Sequence, residues 1–348
     1  MRLGIKRDHI ACMNRRHLIL TAALAPLLAA PCVAQASLAP ILEQADRLQA
    51  LRSIAMWRDD DDGGQEIVAQ GYHGFTPDTP TNIKSASKSI ISALAGIAIG
   101  KGLLESTDQP IAPLLRSDLP ADPDPRLMQV TLGQLLSMQA GLERQSGPNY
   151  GRWVNSGNWV RAALAAPFTQ DPGGPMQYST ASTHLVAAIL TRVTGRPLLD
   201  VARDWLGQIP GFRISGWDRD PQGIYMGGNQ MAMSTRSLMA FGATYGRDGK
   251  ASGRQVVPKS WIHDSWQPRT TSVFTAQGYG YGWFLGRLGG RPMRCGWGYG
   301  GQMLYVFPAT FTRPSMVIAM TSDPDQPSAN TGYRISLNRL AGQMVRAV

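Results

Sequence analysis

The sequence predicts an α/β fold with an all-helical part: an antiparallel sheet flanked by helices, with a helical lobe inserted in mid-chain. Strand-like segments occur near the start, at 51–58 and 66–72, and return only after about residue 278. Between them, the chain from about 85 to 265 has mainly helical periodicity. Because each layer must bury its apolar face against another, both chain ends are expected to build one sheet.

The N-terminal segment is expected to be an export signal and is excluded from the fold. The pair Arg15-Arg16 precedes an apolar stretch over 18–30, and the tripeptide Ala34-Gln35-Ala36 follows. This order is typical of a signal peptide, here of the twin-arginine type, covering residues 1–36. The apolar stretch is shorter than the ~20 residues that span a bilayer. We therefore expect a periplasmic or secreted protein without stable membrane insertion; a membrane anchor or a lipid on Cys32 is the alternative.

Composition and motifs exclude several classes of protein. The chain has a formal charge of +10, and the expected signal holds five bases and one acid, so the mature charge is 10 − 5 + 1 = +6. Its arginines are scattered, so nucleic-acid binding is not expected. Cys295 is the single cysteine after residue 36, which leaves no internal disulfide and indicates simple packing. No metal-binding motif such as Cys-x-x-Cys or His-Glu-x-x-His occurs, so neither a metal nor a cofactor is expected.

The first elements have recognisable ends. An Asp-Gly turn within 59–65 predicts a hairpin between the two early strands. Isoleucine and leucine recur at helical spacing after Ser85, which predicts a buried helix. Thr131 is expected to cap the next short helix.

The later elements follow the same rules. A helix over 184–194 is expected to end at Gly195, Ser234 is expected to cap another, and Pro258 is expected to open a third. The expected C-terminal elements are strands within 281–287, 303–308 and 315–322 and a helix over about 331–347.

The stretch "SASKS" carries the central hypothesis about chemistry. On a helix, residues three apart share a face, so Ser85 and Lys88 are expected to meet if Ser85 begins the helix. A serine hydroxyl needs a base to become nucleophilic, and burial lowers the pKa of a lysine so that it can accept a proton. A capping serine followed by a solvated lysine is the alternative.

Two further stretches add candidate groups. Tyr178 lies in a loop before a helix, and a nearby lysine would favour its phenolate, which could relay protons; an amphipathic tyrosine at a lobe boundary is the alternative. Glycines crowd positions 296–301 immediately before a strand. Such a strand can approach a ligand closely and give an N–H group to an oxyanion; a tight hairpin is equally consistent.

Together the three stretches resemble the serine beta-lactamase-like family, which includes class C beta-lactamases, D-alanyl-D-alanine peptidases, esterases and 6-aminohexanoate-oligomer hydrolases. "SASKS" matches the Ser-x-x-Lys element, "YST" stands where the family has Tyr-x-Asn, and "YGGQ" stands near the Lys-Thr-Gly strand. The similarity runs over about 50–345. It implies a beta-lactamase/transpeptidase-like fold, with a sheet lobe of 37–84 and 266–348, a helical lobe of 85–265 and an active site in the cleft between them.

The resemblance also implies roles for individual residues. Ser85 would be the acylated nucleophile, and Lys88 would take its proton, alone or with Tyr178 as phenolate. The oxyanion hole would use the N–H groups of Ser85 and Gln302, with Gly301 beside it.

Departures from the family motifs narrow the expected substrate. Thr180 replaces the asparagine; its hydroxyl can still bond Lys88 but presents no carboxamide. Tyr299-Gly300-Gly301 stands in place of Lys-Thr-Gly, so the cation that meets a substrate carboxylate is missing unless Arg294 replaces it. Carboxylic esters or small amides are therefore the expected small-molecule substrates. The expected substrate-binding residues are Thr180, Tyr299, Gly301 and Gln302, and the candidates for an apolar pocket wall, each of which could equally be core, are Trp153, Trp297 and Tyr299.

Rival interpretations remain at this point. A beta-lactamase or D-alanyl-D-alanine carboxypeptidase is one alternative, and an inactive cell-wall-binding member of the family is another. An α/β-hydrolase is disfavoured because no serine has the Gly-x-Ser-x-Gly setting. His73, His184 and His263 have no sequence context that indicates a catalytic triad. The sequence does not indicate the oligomeric state.

Overall fold

The computed structural model describes residues 29–60 and 62–348, and their side chains from Ser37 onward. Most of the expected export signal therefore lies outside the described residues, and its cleavage point after Ala36 falls within the first helix. Within the described part of the chain, no helix is both long and apolar enough to cross a membrane.

The helices and strands alternate along the chain much as the sequence indicates. The α-helices are α1 Ala29–Ala45, α2 Ser87–Gly100, α3 Leu132–Leu136, α4 Tyr150–Val154, α5 Trp159–Leu164, α6 Thr180–Thr194, α7 Leu198–Leu206, α8 Thr235–Gly246, α9 Lys259–Ser265 and α10 Tyr333–Ala347. The strands are β1 Leu51–Arg58, β2 Gln65–Gly71, β3 Thr81–Asn82, β4 Gly216–Trp217, β5 Met231–Met233, β6 Lys250–Ala251, β7 Arg254–Gln255, β8 Thr270–Thr271, β9 Gly278–Tyr279, β10 Phe284–Leu288, β11 Arg291–Gly298, β12 Gln302–Phe307 and β13 Met316–Ser322.

One eight-stranded antiparallel sheet forms the centre of the fold. Its strand order is β2-β1-β13-β12-β11-β10-β9-β8, so β1 from the start of the chain pairs with β13 near its end. This confirms the expected antiparallel sheet built from both chain ends. The mainly helical segment lies between these strands in the sequence, and the division into two lobes stays a prediction.

Residue alternation gives the sheet two buried faces. Along β12, Leu304 and Val306 belong to the core shared with the helical segment, where α8 packs on the sheet. Met303, Tyr305 and Phe307 point to the opposite core, which α1 and α10 cover. Such period-2 alternation is expected of a strand buried on both sides. The sheet thus lies between two layers of helices. Helix α8 belongs to one of these layers, although the sequence-based prediction placed it in the helical lobe.

Several expected helix ends are confirmed. The Thr131 hydroxyl accepts a hydrogen bond from the Gln134 N–H, and the Gln134 side chain bonds back to Thr131, which forms a capping box. Ser234 caps α8 through the Ser237 N–H, and Gly195 ends α6 in the left-handed conformation.

Two helix starts and one strand differ from the sequence-based expectation. Pro258 is the residue before α9 rather than its first residue, and α6 begins at Thr180, four residues earlier than expected. Strand β11 was not predicted, because its glycines indicated a turn. Cys295 lies on β11 and is only 4% exposed, which confirms the expected packing role.

Candidate active site

Ser85 lies in a 3₁₀ turn, Lys84–Ala86, that leads directly into α2. The Nζ atom of Lys88 lies 3.0 Å from Ser85 Oγ. The expected contact between the two side chains is therefore confirmed, although the α-helix itself begins at Ser87. Lys84 has a φ of 49°, which is strained for a non-glycine residue. The Asn82 side chain accepts a hydrogen bond of 2.9 Å from the Lys84 N–H and holds this turn.

Lys88 is buried without an acidic partner. Its side chain is 2% exposed, and its Nζ atom donates a second hydrogen bond, of 2.7 Å, to the Gly228 carbonyl. No carboxylate bonds to Lys88 among the described residues. Burial disfavours the ammonium form and lowers the pKa of Lys88 to about 7. The amine can therefore take a proton near neutral pH.

Tyr178 stands over Lys88, with the ring centroid 5.1 Å from Nζ. Burial raises the pKa of Tyr178 to about 12, while a hydrogen bond with Ser85 acts in the opposite direction. This corrects the expectation that the nearby lysine favours a phenolate, because burial outweighs the other influences. Tyr178 carries its proton at neutral pH and can donate a hydrogen bond.

Thr180 does not bond Lys88 as the sequence had suggested. It is the first residue of α6, and its hydroxyl lies 3.0 Å from the Ser146 hydroxyl, which also accepts a bond from the Thr180 N–H. Both Thr180 and Ser146 nevertheless line the cavity that contains Ser85. The Thr180–Ser146 pair thus forms part of the wall rather than part of the Lys88 environment.

Gln302 and Gly301 lie apart from that cavity. The Gln302 side chain is buried, donates to the Ser322 carbonyl at 2.8 Å and accepts from the Ser322 N–H at 3.1 Å. A Cβ on Gly301 would lie 2.7 Å from the Tyr333 ring, so this residue packs against α10. The assignment of Gln302 as oxyanion donor is therefore not supported, since its backbone pairs with Gly298 in the sheet.

The end of β11 comes closest to the nucleophile turn. A Cβ on Gly298 would lie 2.3 Å from the Ile83 carbonyl and 3.2 Å from the Ala86 nitrogen, so glycine permits this approach. Gly298 is the last residue of β11 and pairs with Gln302 on β12. Tyr299 follows it in the turn between the two strands. Tyr299 lines the Ser85 cavity.

The cavity that holds Ser85 has a volume of about 560 Å³. Its lining residues are Lys84, Ser85, Arg144, Ser146, Gly147, Tyr150, Tyr178, Thr180, Asn229, Phe274, Trp297, Tyr299 and Ala329. Trp297 and Tyr299 line it, as expected. Trp153 does not, because it is a core residue with 2% exposure that packs against Trp159 and His184.

Several cavity residues were not predicted from the sequence, among them Arg144, Tyr150, Asn229 and Phe274. Asn229 lies within "GNQMAM" and directly follows the Gly228 that binds Lys88. Arg144 follows "TLGQLLSMQAGL" closely. Both of these stretches are also similar to the family, which is the signal that could have found Asn229 and Arg144, whereas no pattern marked Phe274.

The positive charge near the site comes from residues other than Arg294. The Arg294 guanidinium lies 5.4 Å from the Trp266 ring centroid and is not part of the cavity wall. Lys84 pairs with Asp325 at 3.6 Å. Arg144 lines the cavity and forms no ion pair with any described residue. Arg144, rather than Arg294, is therefore the cation available to a bound anion.

The fold and the family match assign the chain to the hydrolases of the beta-lactamase and esterase superfamily. The Beta-lactamase family model matches residues 61–342. The chain therefore belongs to the beta-lactamase family.

Known proteins that are similar to this chain include several hydrolases. The 6-aminohexanoate-dimer hydrolase of Paenarthrobacter ureafaciens is 24% identical over 292 residues, which cover 75% of this chain and 71% of that one. The solved structure of EstCE1, a hydrolase with promiscuous acyltransferase activity, is 18% identical with a TM-score of 0.70, covering 92% of this chain and 99% of that one. A family VIII carboxylesterase is 15% identical with a TM-score of 0.70, covering 90% and 98%. The two structures show a shared fold.

Proposed function

We propose that this protein is an exported serine hydrolase that forms an acyl-enzyme on Ser85 and acts on carboxylic esters or small amides. The observation that carries the proposal is the 3.0 Å contact between Ser85 Oγ and the buried Nζ of Lys88. A serine paired with a base of lowered pKa is an activated nucleophile. The names of the hydrolases similar to this chain support the same reaction class.

The first half-reaction follows from the hydrogen bonds around Ser85. The neutral Lys88 amine takes the Ser85 proton while Oγ attacks the substrate carbonyl carbon. The ammonium that forms keeps the Gly228 carbonyl as its acceptor. As the tetrahedral intermediate collapses, the bond to the leaving group breaks. The protonated Tyr178 donates its proton to that group and regains one from Lys88.

The second half-reaction releases the acyl group. A water molecule gives a proton to Lys88, directly or through Tyr178, and attacks the acyl carbon. The carboxylic acid leaves, and Ser85 recovers its proton. The oxyanion in both steps is assigned to the N–H groups of Ser85 and Tyr299, the latter in place of Gln302. Preorganised N–H donors of this kind stabilise the transition state strongly.

The cavity wall supports esters and small amides over substrates with a carboxylate beside the scissile bond. Trp297 and Phe274 give the wall an apolar side, and their ring centroids lie 6.4 Å apart. The lysine of the family's third motif is missing. Arg144 is the one observation that favours a beta-lactamase or D-alanyl peptidase instead, since this cation lines the wall and has no ion-pair partner among the side chains that the structure describes.

Covalent labelling tests the proposal. A fluorophosphonate should add to the wild-type protein once by intact mass, and Ser85→Ala should remain unmodified. Thr180→Ala is a matched control, because it removes another hydroxyl of the same cavity and should still be labelled. An adduct that persists in Ser85→Ala would refute the assignment. A wild-type protein without adduct or turnover would support the inactive, cell-wall-binding alternative.

A further inference from the structure

A fully buried histidine–aspartate pair lies behind the Ser85 site and outside its cavity. His184 Nε2 lies 3.0 Å from Asp220 Oδ2, and neither side chain is exposed to solvent. The rings of Trp153 and Trp159 each contact the imidazole edge-on, with centroids 5.6 Å from it. His184 is on α6, whereas Asp220 begins the loop that leads to Gly228. The pair therefore joins this loop to the helix.

The hydrogen bonds define the state of the imidazole. The Gly227 N–H donates to His184 Nδ1 at 3.3 Å, so the ring proton lies on Nε2 and is donated to Asp220. The other carboxylate oxygen of Asp220 accepts from the N–H groups of Gln222 at 2.9 Å and Ile224 at 2.8 Å. Both ends of the pair thus hold backbone of the 220–228 loop.

The same loop supplies the acceptor for Lys88. The Gly228 carbonyl accepts from Lys88 Nζ at 2.7 Å, one residue after the N–H that His184 binds. Gly228 has a φ of +81°, and a Cβ there would lie 2.8 Å from Lys88 Nζ. A Cβ on Gly227 would lie 2.2 Å from the Thr183 carbonyl. The loop is therefore packed closely between α6 and Lys88, and its position depends on what holds it.

We propose that His184, oriented by Asp220, is a positioning residue that holds Gly227 and thereby keeps the Gly228 carbonyl against Lys88. The inference rests on the proposed role of Lys88 as the base that activates Ser85. His184 touches neither Ser85 nor the cavity, so it acts through the loop. In this arrangement the histidine and aspartate are not members of a Ser-His-Asp triad. They fix the geometry of the Ser–Lys pair and keep water away from the amine.

Two matched substitutions test the two hydrogen bonds of the His184 ring separately. The amide oxygen of asparagine takes the place of Nδ1, so His184→Asn keeps an acceptor for Gly227. The amide nitrogen of glutamine takes the place of Nε2, so His184→Gln keeps the donor to Asp220 and loses the bond to Gly227. Both variants lose the same ring between the tryptophans. A difference between them therefore reports the bond and not the packing.

The measurement is the second-order rate constant for fluorophosphonate labelling at a series of pH values. Each rate constant is divided by the concentration of active sites that react with the probe. His184→Gln is expected to react roughly tenfold more slowly at neutral pH, the effect of one hydrogen bond. The acidic limb of its pH–rate profile should move to higher pH. A loosened loop admits water and relieves the burial that lowers the pKa of Lys88, so that pKa should rise. Tyr178, the titratable side chain over Lys88, is retained in each variant. His184→Asn should keep the wild-type limb.

The outcomes are distinct. If both variants keep the wild-type pH dependence and lose rate equally, the pair only stabilises the fold and the inference is overturned. If the histidine variants do not fold, Asp220→Asn replaces them: a shifted acid limb supports the inference and an unchanged limb overturns it. Absence of labelling in the wild-type protein would overturn the proposed function itself, and this inference with it.

Discussion

The Nζ atom of Lys88 lies 3.0 Å from Ser85 Oγ, one helical turn further along the chain. In the described part of the chain, its other hydrogen-bond partner is a neutral carbonyl rather than a carboxylate. A carboxylate partner would favour the ammonium, whereas burial beside a carbonyl leaves the amine able to accept a proton. This relationship connects the local sequence to the proposed chemistry.

The activity is expected to rise as the pH increases through about 7, the lowered pKa of Lys88. Below this pH the ammonium predominates and cannot take the Ser85 proton, so the rate falls as the neutral fraction falls. The measurement is kcat/KM for a p-nitrophenyl ester against pH. Lys88→Arg is the matched control, since a guanidinium stays protonated; it should lose ~10²–10⁴-fold above pH 7 and show no rise through neutral pH. A flat wild-type profile across neutral pH would contradict the prediction.

Removal of the Tyr178 hydroxyl should affect substrates according to their leaving group. Tyr178→Phe keeps the ring that stacks on Phe284 but cannot donate a proton. Loss of a general acid costs ~10²–10⁴-fold where the leaving group needs protonation, so alkyl esters should lose far more kcat than p-nitrophenyl esters. Tyr150→Phe, which removes a different hydroxyl of the same cavity, should show no such dependence. Equal losses on both ester types would argue against proton donation by Tyr178.

Esters should be hydrolysed with a higher specificity constant than a chromogenic cephalosporin or a D-alanyl peptide. A charged partner for a substrate carboxylate contributes ~1.5–3 kcal/mol, so the absence of the third-motif lysine should disfavour such substrates by roughly ten- to a hundredfold. The comparison is kcat/KM for p-nitrophenyl butyrate and the cephalosporin. A preference for the cephalosporin that Arg144→Ala abolishes, while Arg294→Ala does not, would identify a beta-lactamase with Arg144 as the replacement cation.

Export is expected to yield a mature protein that begins at Ser37, because residues 34–36 form a small-x-small site. N-terminal sequencing of protein from the periplasm or medium measures this directly. Substitution of Arg15 and Arg16 by lysine should block export if the signal is of the twin-arginine type. Unprocessed protein in the cytoplasm of the wild-type strain would show that the signal was misread.

Local patterns predicted the elements of this fold well, and glycine caused the main error. Continuous apolar runs identified β12 and β13, and the hydroxyls of Thr131 and Ser234 marked helix starts. Strand β11 was missed because glycine in a strand reads as a turn. Its glycines instead allow the backbone to approach the Ser85 turn, where a Cβ on Gly298 would clash. The clashing atoms belong to Ile83 and Ala86, which are far from Gly298 in sequence. A local sequence pattern therefore cannot indicate this approach.

The sequence by itself determined the Ser85–Lys88 contact and the helix caps, because these depend on spacing and hydrogen bonds between near neighbours. It also indicated the antiparallel sheet, because the order of strand-like and helical segments left both chain ends to form it. Only the tertiary structure decided that Tyr178 stays protonated, that Tyr299 rather than Gln302 reaches the cavity, and that Trp153 belongs to the core. It also decided that the Gly228 carbonyl meets Lys88. These outcomes depend on burial and on partners that folding brings from far along the chain, and desolvation is set by that whole environment rather than by any residue's neighbours in sequence.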